Sequence, residues 1–163
     1  MKTKILLWGI LSMGGALTGN CEELALEISS EESAIEVDVS ATVDSFIGHL
    51  DRCMLSVGVD PETGSIHSAD MIFNFADLRT GNEDRDAEML KWEESKAFPQ
   101  GHFQLTGLKE GVDSLMAEGT LQLHGKTHKL SFPVQIHREN NHYALSGETT
   151  VDYTDYNLPK IRK

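Results

Sequence analysis

The chain has 163 residues, with 26 acidic against 14 basic side chains and a formal net charge of −12. That length fits one domain with a single sizeable core. So acidic a surface repels phosphate backbones and anionic headgroups, which argues against nucleic acid and against a polybasic membrane contact.

Lys2 and Lys4 are the only charged residues before Glu22, and they precede an apolar run, Ile5 to Leu11, broken only by Gly9. Small residues follow at Gly14, Gly15, Ala16 and Gly19. This is the pattern of a secretory leader over residues 1–20, and it outweighs the reading as a buried N-terminal strand. The run falls well short of the roughly 20 apolar residues a membrane span needs. The mature chain is therefore expected in the periplasm or secreted, starting between Leu17 and Glu22. Leu17-Thr18-Gly19-Asn20-Cys21 departs from a bacterial lipoprotein box, because Asn20 stands where a small residue belongs. Ordinary cleavage near Ala16 or Gly19 is the expected course, and a lipid anchor on Cys21 the lesser one. Cys21 and Cys53 are the only cysteines, too few for a disulfide framework, and Cys53 reads as a small apolar core residue.

After residue 22 the dominant period is two, the signature of strands. Leu24, Leu26 and Ile28 alternate; so do Ile35, Val37 and Val39 with Glu36 and Asp38. Phe46, Gly48 and Leu50 alternate with Ile47 and His49, and Leu55, Val57 and Val59 follow. Asp60-Pro61-Glu62-Thr63-Gly64 predicts a turn. Ile66 to Leu78 reads as one strand with Ala69, Met71, Phe73 and Phe75 on one side.

The period changes after Thr80-Gly81-Asn82. Helix formers fill Glu83 to Glu94, acidic residues crowd the first turn, and either Thr80 with Glu83 or Asn82 can cap the start. Phe98-Pro99 ends this short helix. Four more strands follow, His102–Leu108, Ser114–His124, His128–His137 and His142–Tyr153, with connections short enough for antiparallel hairpins. One small helix cannot cover so much apolar sheet, so the expected fold is all-β with one short helix, an antiparallel barrel.

Spaced residues across the chain resemble the signature of the YceI-like family. They are Thr80-Gly81-Asn82, Arg85-Asp86, Met89-Leu90, Trp92, Phe98-Pro99 and Phe103; then Gly119, Leu121, Leu123, His124-Gly125, Thr127, Phe132 and Val134; then Thr149 to Asp152, Tyr156, Leu158-Pro159 and Ile161-Arg162-Lys163. Ser33 to Val39 and Phe46 to Leu50 fit the family's first strands, so the resemblance covers residues 31–163. It implies a lipocalin-like barrel whose interior holds a polyisoprenoid or an isoprenoid quinone, and an exported protein. Carried onto this chain, the wall would be Ile35, Val37, Phe46, Leu55, Val57, Phe73, Phe75, Phe103, Leu105, Leu121, Leu123, Phe132, Val134, Tyr143 and Leu145. Two departures stand out. Glu88 occupies a place where members often carry histidine, and related sequences continue past Lys163 into one more strand. The barrel is accordingly expected to lack its last strand and stand open between His142–Tyr153 and Ile35–Val39. A homodimer, or closure by Leu24–Ile28, is the other outcome considered.

Other polar groupings carry bland readings. Thr80 to Asn82 with Arg85-Asp86 reads as a capped helix tied to the barrel mouth, and Glu93-Glu94 as a solvated helix end. His124 with His128 and His137 with His142 flank turns, without a third ligand that would make a metal site. No nucleophile elbow, phosphate loop or dinucleotide fingerprint occurs, so no enzyme and no cofactor is expected. The expected function is an exported holder or carrier of a long-chain isoprenoid lipid. The alternative is an extracytoplasmic protein-interaction module with a filled barrel core.

Overall fold

The computed structural model describes residues 2–12, 22–29, 33–40, 45–60, 62–111, 114–139 and 142–159. Where the sequence has period two the chain forms strands: β1 (Lys2–Ser12), β2 (Glu22–Ser29), β3 (Ser33–Ser40), β4 (Ser45–Leu50), β5 (Arg52–Val59), β6 (Ile66–Asn74), β7 (Leu78–Arg79), β8 (Gln100–Glu110), β9 (Leu115–Leu123), β10 (Lys126–Glu139) and β11 (His142–Asp152). The helix α1 spans Glu83–Trp92. Alternation in sequence becomes alternation in burial. In β10, Phe132, Val134 and Ile136 turn inward while Ser131, Pro133, Gln135 and His137 are exposed.

All strands belong to one antiparallel sheet in the order β2-β5-β6-β8-β9-β10-β11-β1-β3-β4-β7. The sheet curls into the lipocalin-like form expected for an all-β chain with one short helix. Register shifts between Gly58 and Val59 and between Leu105 and Gly107 bend the strands that make the curve. At the second, Thr106 is the extra residue, and its hydroxyl donates to the Glu118 carbonyl at 3.0 Å. The segment read as one strand from Ile66 to Leu78 breaks at Phe75–Asp77 into a single 3₁₀ turn, so Phe75 leaves the ladder. The Asp60 turn forms as read: its carboxylate accepts from the Glu62 and Thr63 N–H groups, and Gly64 has φ of 69°. These two bonds hold the Asp60 carboxyl below its usual range.

The predicted gap is filled. Strand β1, the segment with leader composition, lies between β11 and β3 and pairs with both, from Lys2↔Asp152 to Ser12↔His142 on one side and from Thr3↔Val39 to Gly9↔Ser33 on the other. Two backbone edges facing each other leave rows of donors and acceptors that need partners. An extended apolar segment satisfies both rows, which is why the open seam does not form here. Leu24–Ile28 is a strand, as its alternation suggests, but it adds to the outer side of β5 (Leu24↔Val57, Ile28↔Cys53) instead of closing the seam.

The inward faces form linked apolar clusters. Val57 and Val59 pack with Leu55, Ile66, Ala69, Ile136 and Leu145. Ile66 and Ala69 also touch the cluster of Leu105, Ala117 and Phe132, which reaches Phe103 and Leu130. Those two in turn meet Leu121, Val151, Tyr153, Tyr156 and Leu158 beside Trp92. A fourth group, Leu50, Cys53 and Leu78 with Val37, Met71, Phe73 and Met89, lies under the helix. Cys53 is a buried core thiol as read, and burial pushes its pKa up to about 11, which makes it inert.

Candidate functional site

The apolar wall is built by cross-strand neighbours. Phe73 lies opposite Gly101 on β8, and a side chain at Gly101 would run into the Phe73 ring. Phe103, two residues on, covers Gly119 of β9 in the same way: a β-carbon there would come within 2.8 Å of that ring. Each glycine thus provides the floor on which an aromatic ring lies against the sheet. Phe103 and Phe132 approach with ring centroids 5.8 Å apart, and Phe73 meets Phe75 edge-on at 5.4 Å.

Most residues predicted from sequence fall on this wall. Val57, Leu105, Leu121 and Phe132 are buried, and Leu55, Phe103, Leu123, Val134 and Leu145 pack against them partly buried, while Phe73 packs on Leu50, Cys53 and Leu78. Val37 joins the group beneath the helix. Phe46 sits apart, on β4, with the Arg85 guanidinium 4.8 Å over its ring. Phe75 reaches the wall only from its turn. The side chains of Ile35 and Tyr143 lie outside the described residues, as does Cys21. Sequence reading missed Gly101, Leu50, Leu78, Ala117 and the C-terminal trio Tyr153, Tyr156 and Leu158. A glycine inside a strand is a sign of close approach, so Gly101 was the findable one.

Helix α1 covers one end of the wall. Asn82 caps it, its side-chain oxygen accepting from the Arg85 N–H at 3.0 Å, so of the two capping arrangements read from sequence this one forms. Asp86 is only 6 % exposed and accepts from both the N–H and the hydroxyl of Thr80, at 3.0 and 2.7 Å, which fastens the helix to β7. At the other end the Trp92 indole donates to the Pro159 carbonyl at 2.8 Å and meets Tyr153 edge-on at 5.3 Å.

Glu93 contradicts its sequence reading. Glu94 is exposed, but Glu93 is 2 % exposed, and its Oε1 has no hydrogen-bond partner among the described residues. Helical geometry gives the reason: Asp86, Met89 and Glu93 follow at i, i+3 and i+7, the stripe that faces the sheet. Burial, with a smaller contribution from the neighbouring Glu94 carboxylate, pushes the Glu93 carboxyl up to about 8.

His124 and His128 serve the frame. His124 and Gly125, with φ of 45° and 69°, make the two-residue turn between β9 and β10. The His124 ring lies against Phe98 at 4.3 Å and places one nitrogen 3.2 Å from the Tyr156 carbonyl and the other 3.3 Å from Glu94 Oε2. His128 packs edge-on against Tyr156. Among the described residues no three His, Cys, Asp or Glu side chains gather into a metal-type group.

A family model for the YceI-like domain matches residues 26–162. Among solved structures, the chain resembles the Campylobacter jejuni YceI protein at 15 % identity and a TM-score of 0.63, covering 74 % of this chain and 75 % of that one. It also resembles a polyisoprenoid-binding domain from Saccharophagus degradans implicated in plant cell wall breakdown, at 14 % identity and a TM-score of 0.55, over 96 % of this chain and 78 % of that one. Burkholderia cenocepacia BcnA matches at 13 % identity and a TM-score of 0.53, over 82 % of this chain and all of that one. Comparison with curated protein sequences finds no match.

Proposed function

The chain belongs to the YceI-like family, and from that premise we propose that it binds a long-chain isoprenoid lipid along the inner wall of its sheet, as a holder or carrier and not as an enzyme. One observation carries the reading. The inward apolar side chains of β5, β6, β8, β10 and β11 form a connected surface on which Leu55, Ile66, Phe103, Val134 and Leu145 stay only partly buried. A filled core would have buried them. At about 25 cal/mol per Å² of apolar area removed from water, a long isoprenoid tail laid on that surface supplies ample driving force. The polyisoprenoid-binding fold of the Saccharophagus domain supports the choice of lipid class.

Phe73→Asp and Phe103→Asp each place an unpaired charge on the wall. The expected result is a folded protein by circular dichroism that no longer carries isoprenoid lipid in native mass spectrometry. Unchanged lipid occupancy in both folded variants would refute the wall assignment. If the wild type carries no lipid at all, the rival reading gains: a partner-binding module, for which the exposed pair Met54 and Ile72, opposite each other on β5 and β6, is the available surface.

Export from the cytoplasm belongs to the same proposal, on the leader pattern of residues 1–20, with a lipid anchor at Cys21 as its lesser variant; cleavage there would take β1 out of the sheet and reopen the seam between β11 and β3. Amino-terminal sequencing of the protein from cells should find a start between Leu17 and Glu22. An intact Met1 on cytoplasmic protein would exclude it.

A further inference from the structure

We infer that β2 has two seats in this fold, and that removal of the leader moves it from β5 into the seam between β11 and β3. Under the export reading above, on which this rests, the working protein lacks β1. With β1 gone and β2 still on β5, three edges stand unpaired among the described residues: those of β11 and β3, and the outer edge of β2, which ends the sheet order. With β2 in the seam, the only edge newly open is the one it leaves on β5. A strand held by one ladder then has two, and backbone donors and acceptors otherwise left to water are paired.

The sequence supplies the register. Ser30 to Ser33 can join β2 and β3 as a four-residue hairpin loop, a common antiparallel connection. Ser29 then faces Ala34. Leu24, Leu26 and Ile28 take the places of Thr3, Ile5 and Leu7, opposite Val39, Val37 and Ile35 of β3 and Val151, Thr149 and Gly147 of β11. This is the inward row: Val151 is buried, Val37 packs beneath α1, and a side chain at Gly147 would meet Val134 and Phe132. A slip by one residue would send all three apolar residues outward. The move costs a row of like charges, Glu27 between Glu36 and the exposed Glu148, which water and salt screen.

Crosslinks read which seat is taken. In a Cys21→Ser, Cys53→Ala background, Ala25→Cys is combined either with Ser56→Cys, opposite it on β5, or with Thr150→Cys, which faces Lys4 in β1 and would face residue 25 in the seam. Each combination is made in two chains, residues 1–163 and residues 22–163, and disulfide formation is read by mass spectrometry after mild oxidation. In the longer chain the combination with Ser56→Cys should crosslink and that with Thr150→Cys should not. In the shorter chain the preference should reverse, with loss of the crosslink to β5. A crosslink to β5 that persists in the shorter chain overturns the inference. So does a disulfide to position 150 formed between two molecules, which would mean that a second copy supplies the strand. A shorter chain that is unfolded by circular dichroism overturns it too, because β2 should complete its barrel. Both chains are made directly, so the outcome does not depend on cleavage in cells; an intact Met1 there would refute export and leave the crosslinks as they are.

Discussion

At the end of the sheet covered by α1 and the C-terminal turn, Tyr153, Tyr156 and Leu158 are at most 5 % exposed and each is wedged against a second element. Along β10 and β11, Ile136 and Leu145 point the same way into the sheet's concave side yet stay half-buried. Both regions are apolar and both face inward; they differ in having a second layer. The covered end has a helix and a turn to pack on it, locked by Trp92 to Pro159 and Asp86 to Thr80, whereas the wall has only its own curvature. Structure that holds itself together and surface that waits for a ligand are here told apart by packing, not by residue type.

The largest test of that contrast is the one misfit at the covered end. Burial pushes the Glu93 carboxyl up to about 8 in the fold from an ordinary 4.5. Below pH 4.5 the folded and unfolded chains both hold the proton, so nothing is lost. Between 4.5 and 8 the unfolded chain sheds it while the fold keeps it, and stability falls as pH rises. Above 8 both forms are ionised and the loss levels off. At about 1.4 kcal/mol per unit, Glu93→Gln should gain up to about 5 kcal/mol over wild type by pH 8.5 and nothing at pH 4.5, measured by urea unfolding. Parallel stability curves for the two proteins would mean that Glu93 is solvated.

The next effect compares the regions directly. Tyr156→Ala should cost about 4 kcal/mol, because it opens a cavity beneath α1 that neighbouring side chains cannot close. Leu145→Ala on the wall should cost about 1 kcal/mol, since part of its surface already meets solvent. Equal losses would show the wall to be packed core, and would weaken the case for a ligand lying on it.

How much of this was legible beforehand follows from the same contrast. Period two located Phe73, Phe103, Phe132 and Val134 on one face, because a strand's geometry writes itself into alternation. The cap at Asn82 and the role of Asp86 were readable from the spacing around Thr80-Gly81-Asn82. Glu93 was not, since two adjacent glutamates look alike until the helix fixes which of them turns inward. Nor was the place of Lys2–Ser12. A short apolar run has the composition of an export leader and of a strand alike, and which edges such a strand joins is not local information. Gly101 and Gly119 were visible as glycines, but the rings that lie over them belong to neighbouring strands, and strand order is not local information.

Strand β1 has one more consequence. Its longest ladder is with β11, far away in the sequence. A contact of such separation forms late, after the closure entropy of the intervening segment has been overcome. Pairing with β3 could come sooner, but a two-stranded ribbon is marginal by itself. In folding, then, Lys2–Ser12 is the stave set last, after the other strands have met.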